Sequence, residues 1–196
     1  MIRIGRDRFG AALRPCLWAR ASNDDEATNH TTQYGLGLSL EAPLSSDWTL
    51  FGALEGGRIE FDRRNVDGDY AEALLGLAWR PAPATLVRAS VMGRETGVIA
   101  PALQSDRVAL RLDLSHTFRP GFAAHDWTVS TFAQSEKEDF GTRRDDETRQ
   151  LGLSLRMDFA NGLYLQNEIS FLDRTSTVRR FNTEETMVSV RLGWEF

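Results

Sequence analysis

At 196 residues the chain has room for one domain or one barrel and does not require two. Its 41% hydrophobic and 26% charged residues match an ordinary water-exposed protein, a balance that transmembrane barrels share because half of each strand faces water or polar neighbours. A net charge of −5 with basic residues scattered among acids excludes a nucleic-acid footprint, no run of about 18 apolar residues supplies a helical membrane span, and the single Cys16 excludes an internal disulfide.

The opening stretch MIRIGRDRFGAALRPCLW carries charges but no uninterrupted apolar core of about seven residues, so it does not read as a signal peptide. Either a leader has been removed or the chain is the C-terminal part of a longer protein. The closeness of Met1 to the first strand favours the second. Residues 1–9 read as a lead-in to a single β-barrel domain spanning 1–196.

Alternation bounded by turn residues predicts ten strands, near 10–22, 31–42, 47–61, 69–80, 85–96, 105–119, 126–137, 147–159, 162–174 and 184–196. In the second, Tyr34, Leu36, Leu38, Leu40 and Ala42 oppose Gly35, Gly37, Ser39 and Glu41. The third is less regular: its apolar phase shifts near Gly56 and Gly57, which predicts a bulge. In the sixth, Val108, Leu110, Leu112, Leu114 and Phe118 oppose Arg107, Ala109, Arg111, Asp113 and Ser115, with His116 the one polar residue in the apolar phase. In the eighth, Leu151, Leu153, Leu155, Met157 and Phe159 oppose Gln150, Gly152, Ser154, Arg156 and Asp158.

The last strand carries the same pattern to the end of the chain. Thr186, Val188, Val190, Leu192, Trp194 and Phe196 share one face, against Met187, Ser189, Arg191, Gly193 and Glu195. A soluble sandwich could bury one such face, but its core could not take the Arg, Glu and Asp that fill the other phase of strand after strand. A water-filled lumen could. This strand resembles the C-terminal strand of Gram-negative outer-membrane β-barrels, which end in Phe with apolar residues at every second position before it. The resemblance implies an all-β antiparallel transmembrane barrel in the cell outer membrane. About ten strands lie in this chain, possibly as part of a larger barrel.

The connections fit that architecture. Those at 43–46, 81–84, 120–125 and 160–161 are short, and those at 23–30, 62–68, 97–104, 138–146 and 175–183 are longer and more charged. Short periplasmic turns and longer outer loops are the rule in such barrels. Trp48, Trp79, Trp127 and Trp194 sit at the short-turn ends with Phe196, as an aromatic girdle would; Trp18 does not.

Residues 140–196 carry a narrower resemblance. They run through Arg143-Arg144-Asp145-Asp146-Glu147, a clean strand, the turn Phe159-Ala160-Asn161-Gly162, a strand with Glu168 and Phe171, then Arg174-Thr175-Ser176-Thr177 and the Val190-Arg191-Leu192-Gly193-Trp194-Glu195-Phe196 finish. This is similar to the barrel end of the surface lipoprotein assembly modifiers, outer-membrane proteins that help lipoproteins reach the cell surface. The resemblance implies a periplasmic helical-repeat domain ahead of a barrel of about fourteen strands. It also implies translocation or assembly of surface lipoproteins.

Catalysis would need a nucleophile or activated water, a base and an orienting group brought together. Only His30, beside Asp24, Asp25 and Glu26, lies at the expected outer rim; His116 and His125 fall toward the short turns. The acidic loop lacks the spaced ligands and glycine of a calcium site. No phosphate loop, zinc spacing or nucleophile elbow occurs, so a non-enzymatic barrel without cofactor or metal is expected.

The inward charges Arg107, Arg111, Asp113, Arg156, Asp158, Glu168 and Arg191 are the more informative set. They either pair across the lumen and hold a narrow barrel together or line a selective pore. Ten strands are close to the size at which side chains fill a barrel, which argues against free diffusion through ten strands alone. Expected partners are outer-membrane lipids, the barrel assembly machinery through the last strand and, from the resemblance, surface lipoproteins. No nucleic acid is expected. The rival to lipoprotein export is a small structural or adhesion barrel that binds a partner through its outer loops.

Overall fold

A computed structural model describes residues 12–24, 29–61, 66–98, 104–123, 125–159 and 162–194. The ten strands are β1 (Ala12–Asp24), β2 (Asn29–Pro43), β3 (Trp48–Phe61), β4 (Val66–Ala82), β5 (Thr85–Val98), β6 (Ser105–Phe118), β7 (Asp126–Phe140), β8 (Arg144–Asp158), β9 (Leu163–Ser176) and β10 (Thr183–Trp194). They pair in sequence order as one antiparallel sheet. Among the described residues β1 pairs only with β2 and β10 only with β9, so both edges are open. The lead-in 1–9, Asp25, Glu26, Glu195 and Phe196 lie outside the described residues.

The two faces of the sheet are chemically opposite. Ile59, Tyr70, Thr96, Val98, Ala109, Asp146 and Ser170 are buried and all project to the polar face. The other face leaves Leu36, Leu54, Leu75, Leu110, Leu153, Val188 and Leu192 more than half exposed. A sheet that shields its polar side and presents its leucines is curved around the polar side. Its convex surface is made for an apolar solvent, where covering one such side chain is worth about 1.5–3 kcal/mol. The apolar run covers positions 108–118 on β6 and 186–194 on β10, with Asp106 and Glu184 at its upper limit. Runs of that length match the ~9–11 residues a tilted strand needs to cross a bilayer.

No bulge interrupts β3. Its register with β2 and β4 runs unbroken through Gly56 and Gly57. The phase of hydrophobicity changes there because the strand leaves the apolar belt. Above it, convex Arg58 pairs with Asp67, and Tyr34 donates to Glu60 Oε1 at 3.0 Å, while Ile59 packs into the concave side. Among the described residues the register shifts between Trp79 and Ala82, at the β4–β5 turn.

The expected contrast between short and long connections does not hold either. β7 and β8 are joined by residues 141–143 alone, whereas 119–125 link β6 to β7 at the opposite end. The charged stretch 138–146 read as loop is mostly strand, with Glu138 opposite Asp146, Asp139 opposite Asp145 and Phe140 opposite Arg144. Above the belt both faces of the sheet meet water, so charge does not end a strand. The turn itself closes on Arg143 at φ 62°, a left-handed conformation uncommon for a residue other than glycine.

Candidate functional site

The concave wall is built by strand periodicity. Residues two apart on a strand share a face, so Arg-x-Asp puts a guanidinium beside a carboxylate. Arg111 Nε meets Asp113 Oδ1 at 3.0 Å and Oδ2 at 3.1 Å, and its Nη2 meets Oδ1 at 2.8 Å. Arg156 Nε donates to Asp158 Oδ1 at 2.7 Å. Between neighbouring strands Arg107 lies 3.6 Å from Glu136, and Arg94 lies 3.6 Å from Glu72. Glu168 stands in register with Ser154 and Ser189, and Arg191 with Gln166. All seven predicted lumen charges therefore project to the concave face. Those that pair do so along the wall, and among the described residues none reaches across it.

A second pattern on this wall escaped the sequence reading. Four aromatic residues each lie directly across from a glycine of the next strand: Phe51 from Gly76, Tyr70 from Gly57, Phe132 from Gly152 and Tyr164 from Gly193. A Cβ added to Gly76, Gly152 or Gly193 would collide with the facing ring, so the missing side chain is the slot in which the ring rests. Over each ring stands an arginine. Arg88 is 5.9 Å from the Phe51 centroid, Arg94 4.7 Å from Tyr70, Arg111 4.1 Å from Phe132 and Arg156 4.1 Å from Tyr164. At Arg94, Arg111 and Arg156 the cation thus interacts with the ring face and with its carboxylate together. The available signal was an aromatic and a glycine in the polar phase of adjacent strands.

The rim that holds the 44–47 and 83–84 turns gathers aromatic rings. Trp48 and Trp79 stack with centroids 5.6 Å apart, and Trp127 packs against Phe118 at 6.4 Å and edge-on to Phe122 at 5.8 Å. Trp194 ends β10 at the same rim, 59% exposed on the convex face. Trp18 lies within β1 opposite Gly35, away from this rim. His116 and His125 pack among these rings. His116 Nδ1 lies 2.9 Å from Thr85 Oγ1 and its ring stacks on Phe118, while His125 meets Phe159 edge-on at 5.1 Å. His30 is part of β2, opposite Asn23. Among the described residues no three His, Cys, Asp or Glu converge on a metal position.

The opposite rim holds a knot around Arg144. Its guanidinium lies 4.3 Å from the Phe140 ring and 3.6 Å from Phe181, whose ring also carries Arg180 at 4.9 Å. Arg144 is ion-paired with Asp146, which is only 4% exposed. Burial alone would push the Asp146 carboxyl up. Hydrogen bonds to Arg144 and Ser176, with the charges of Arg144 and Arg174, outweigh it and hold that carboxyl below the usual range. The 177–182 connection is pinned to the neighbouring hairpin: Thr177 N donates to Asp145 O at 2.9 Å, and Asp145 N to Thr177 Oγ1 at 2.9 Å.

The chain superposes on the loop L8 deletion mutant of OmpT, an outer membrane protein of Vibrio cholerae, with a TM-score of 0.60 at 12% identity, over 93% of this chain and 62% of that one. The fold is that of an outer-membrane β-barrel wall. The sheet spans a little under two thirds of that relative's length. The alcaligin receptor FauA from Bordetella pertussis (TM-score 0.48, 15% identity, 93% of this chain and 34% of that one) and the ferric citrate transporter FecA (0.45, 13%, 96% and 36%) are similar only loosely. No family model and no curated protein sequence matches the chain. These similarities show the fold and not membership of the surface lipoprotein assembly modifiers.

Proposed function

We propose that the chain works in the cell outer membrane as the wall of a passage, whose cargo is a surface lipoprotein or a related exported polypeptide. The observation that carries this is the direction of the wall's ion pairs. Arg94–Glu72, Arg107–Glu136, Arg111–Asp113 and Arg156–Asp158 each close within one strand or between neighbours. A barrel held shut would join an arginine to a carboxylate several strands away. Pairs that lie along the wall leave the enclosed space to water and cargo. The resemblance over 140–196 supplies the cargo class. In this reading the protein is not an enzyme and uses no cofactor. Its partners are lipids around the belt and the assembly machinery at β10, whose free edge can accept another strand.

The test is deletion of the gene in its host, with surface exposure of lipoproteins read by protease shaving of intact cells. Exposure should fall on deletion and return with the wild-type gene, but not with Arg111→Glu, which puts two like charges at Asp113. Unchanged exposure in the deletion strain would overturn the reading. The stacked Phe140–Arg144–Phe181–Arg180 column at the rim opposite the tryptophans favours a second reading, an adhesion barrel. Intact lipoprotein exposure with lost surface attachment would select that one.

A further inference from the structure

The concave arginines differ in what holds them, Arg174 bonding to Thr148 Oγ1 at 3.2 Å and Arg191 standing in register with Gln166. Arg94, Arg107, Arg111, Arg144 and Arg156 each have a carboxylate. Among the described residues Arg80 and Arg88 have none, and both line one cavity of about 350 Å³ on the concave side near the β2–β3 turn. Their lack of partners is a consequence of the register. Arg88 lies directly opposite Asp113, yet both oxygens of Asp113 are taken by Arg111. Arg80 sits at the register shift between Trp79 and Ala82, where its backbone N–H donates to Asp47 O at 2.8 Å and the side chain is freed from the regular ladder. Arg88 is opposite Ala78, two residues before Arg80, so the guanidiniums spring from diagonal neighbours on adjacent strands.

We propose that this cavity is a binding subsite for a small organic carboxylate with a short apolar body. Two guanidiniums without a carboxylate partner on one concave wall can hold an oxyanion with bidentate hydrogen bonds. Phe51 and Leu74 form the apolar part of the lining, and Phe51 fixes Arg88 by lying under it. Glu41 and Asp47 complete the rim. Their charge disfavours ligands with several negative groups and suits a monoanion or a zwitterion. The volume matches a molecule of benzoate or amino-acid size, within the lower range of ligand pockets. The subsite is a property of this wall whatever the cargo of the barrel.

Benzoate is the probe, and benzamide its neutral isostere. The full chain refolded in detergent is dialysed to equilibrium against each labelled compound, with far-UV circular dichroism confirming the sheet in every variant. Wild type should retain benzoate over benzamide, with a preference that weakens as salt rises. Arg88→Gln and Arg80→Gln should each weaken benzoate binding about tenfold or more, the scale of one lost charge-assisted contact. Arg88→Lys should restore part of it, and Arg119→Gln, whose arginine is held by Asp126 at the girdle, should match wild type. Equal retention of benzoate and benzamide by wild type, or folded Arg88→Gln and Arg80→Gln proteins that bind like wild type, would overturn the proposal.

Discussion

The ring of Phe132 rests where Gly152 lacks a side chain, directly across the β7–β8 pair, and Arg111 lies 4.1 Å above the same ring. Three residues from three strands thus form one stack on the concave wall. Adding even a methyl group at 152 must push the ring off its seat. Overpacking of that kind costs about 1–3 kcal/mol. Gly152→Val should therefore lower the urea midpoint of the refolded protein, and Phe132→Ala in the same chain should recover part of the loss. A Gly152→Val protein as stable as wild type would show that the slot is not a structural constraint.

Leu153, one residue on, points the other way and is 52% exposed on the convex face, in register with Ile169 and Thr131. Arginine there should destabilise the sheet by about 2–4 kcal/mol in a bilayer, as expected for a mid-membrane lipid-facing site. Ser154→Arg projects to water, so its effect should not change with bilayer thickness. Unfolding in lipids of two chain lengths separates the two. If Leu153→Arg refolds as well as wild type, the assignment of faces is wrong.

That assignment was legible in the sequence because period two needs only neighbours along one strand. The alternation from Val188 to Trp194 and from Leu151 to Met157 gave faces, strand number and rim. What lay beyond reach was who meets whom. Arg94 and Glu72 could be placed in the polar phase but not paired with each other, since a register is a relation between strands. The Gly56-Gly57 change of phase looked like a bulge because the top of the apolar belt and an inserted residue leave the same mark on one strand. Charged strand ends such as Glu138 and Asp146 passed for loop, because polarity signals solvent rather than an end to pairing. The aromatic–glycine slots needed both observations at once.

The Arg144 knot should make its rim sensitive to acid. Asp146 has its carboxyl held below the ordinary aspartate value of about 3.9, so its contribution is present above that value and is lost as pH falls through the folded-state value. Protonation removes the charge that orients Arg144 between Phe140 and Phe181. The urea midpoint should fall between about pH 5 and pH 3. Asp146→Asn should start lower at neutral pH and lose part of that slope. Parallel pH profiles for the two proteins would show that the carboxylate is not the group responsible.

Orientation is the last expectation, and it follows from where the knot and the girdle lie. β1 begins and β10 ends at the Trp48–Trp79 rim, so Arg143 and Arg180 stand at the far end from both. An outer-membrane barrel with its terminal strand ending at the periplasmic rim puts that far end outside the cell. In a Cys16→Ser background, cysteine at Arg143 or Arg180 should react with an impermeant thiol reagent on intact cells. Cysteine at Ser45 or Ala82, in the turns beside Trp48 and Trp79, should react only after the membrane is opened. Both of these turns are exposed in the fold, so silence there on intact cells reports the membrane rather than burial. The reverse labelling would invert the sheet in the membrane and put the Arg80–Arg88 cavity at the outer mouth instead of the inner one.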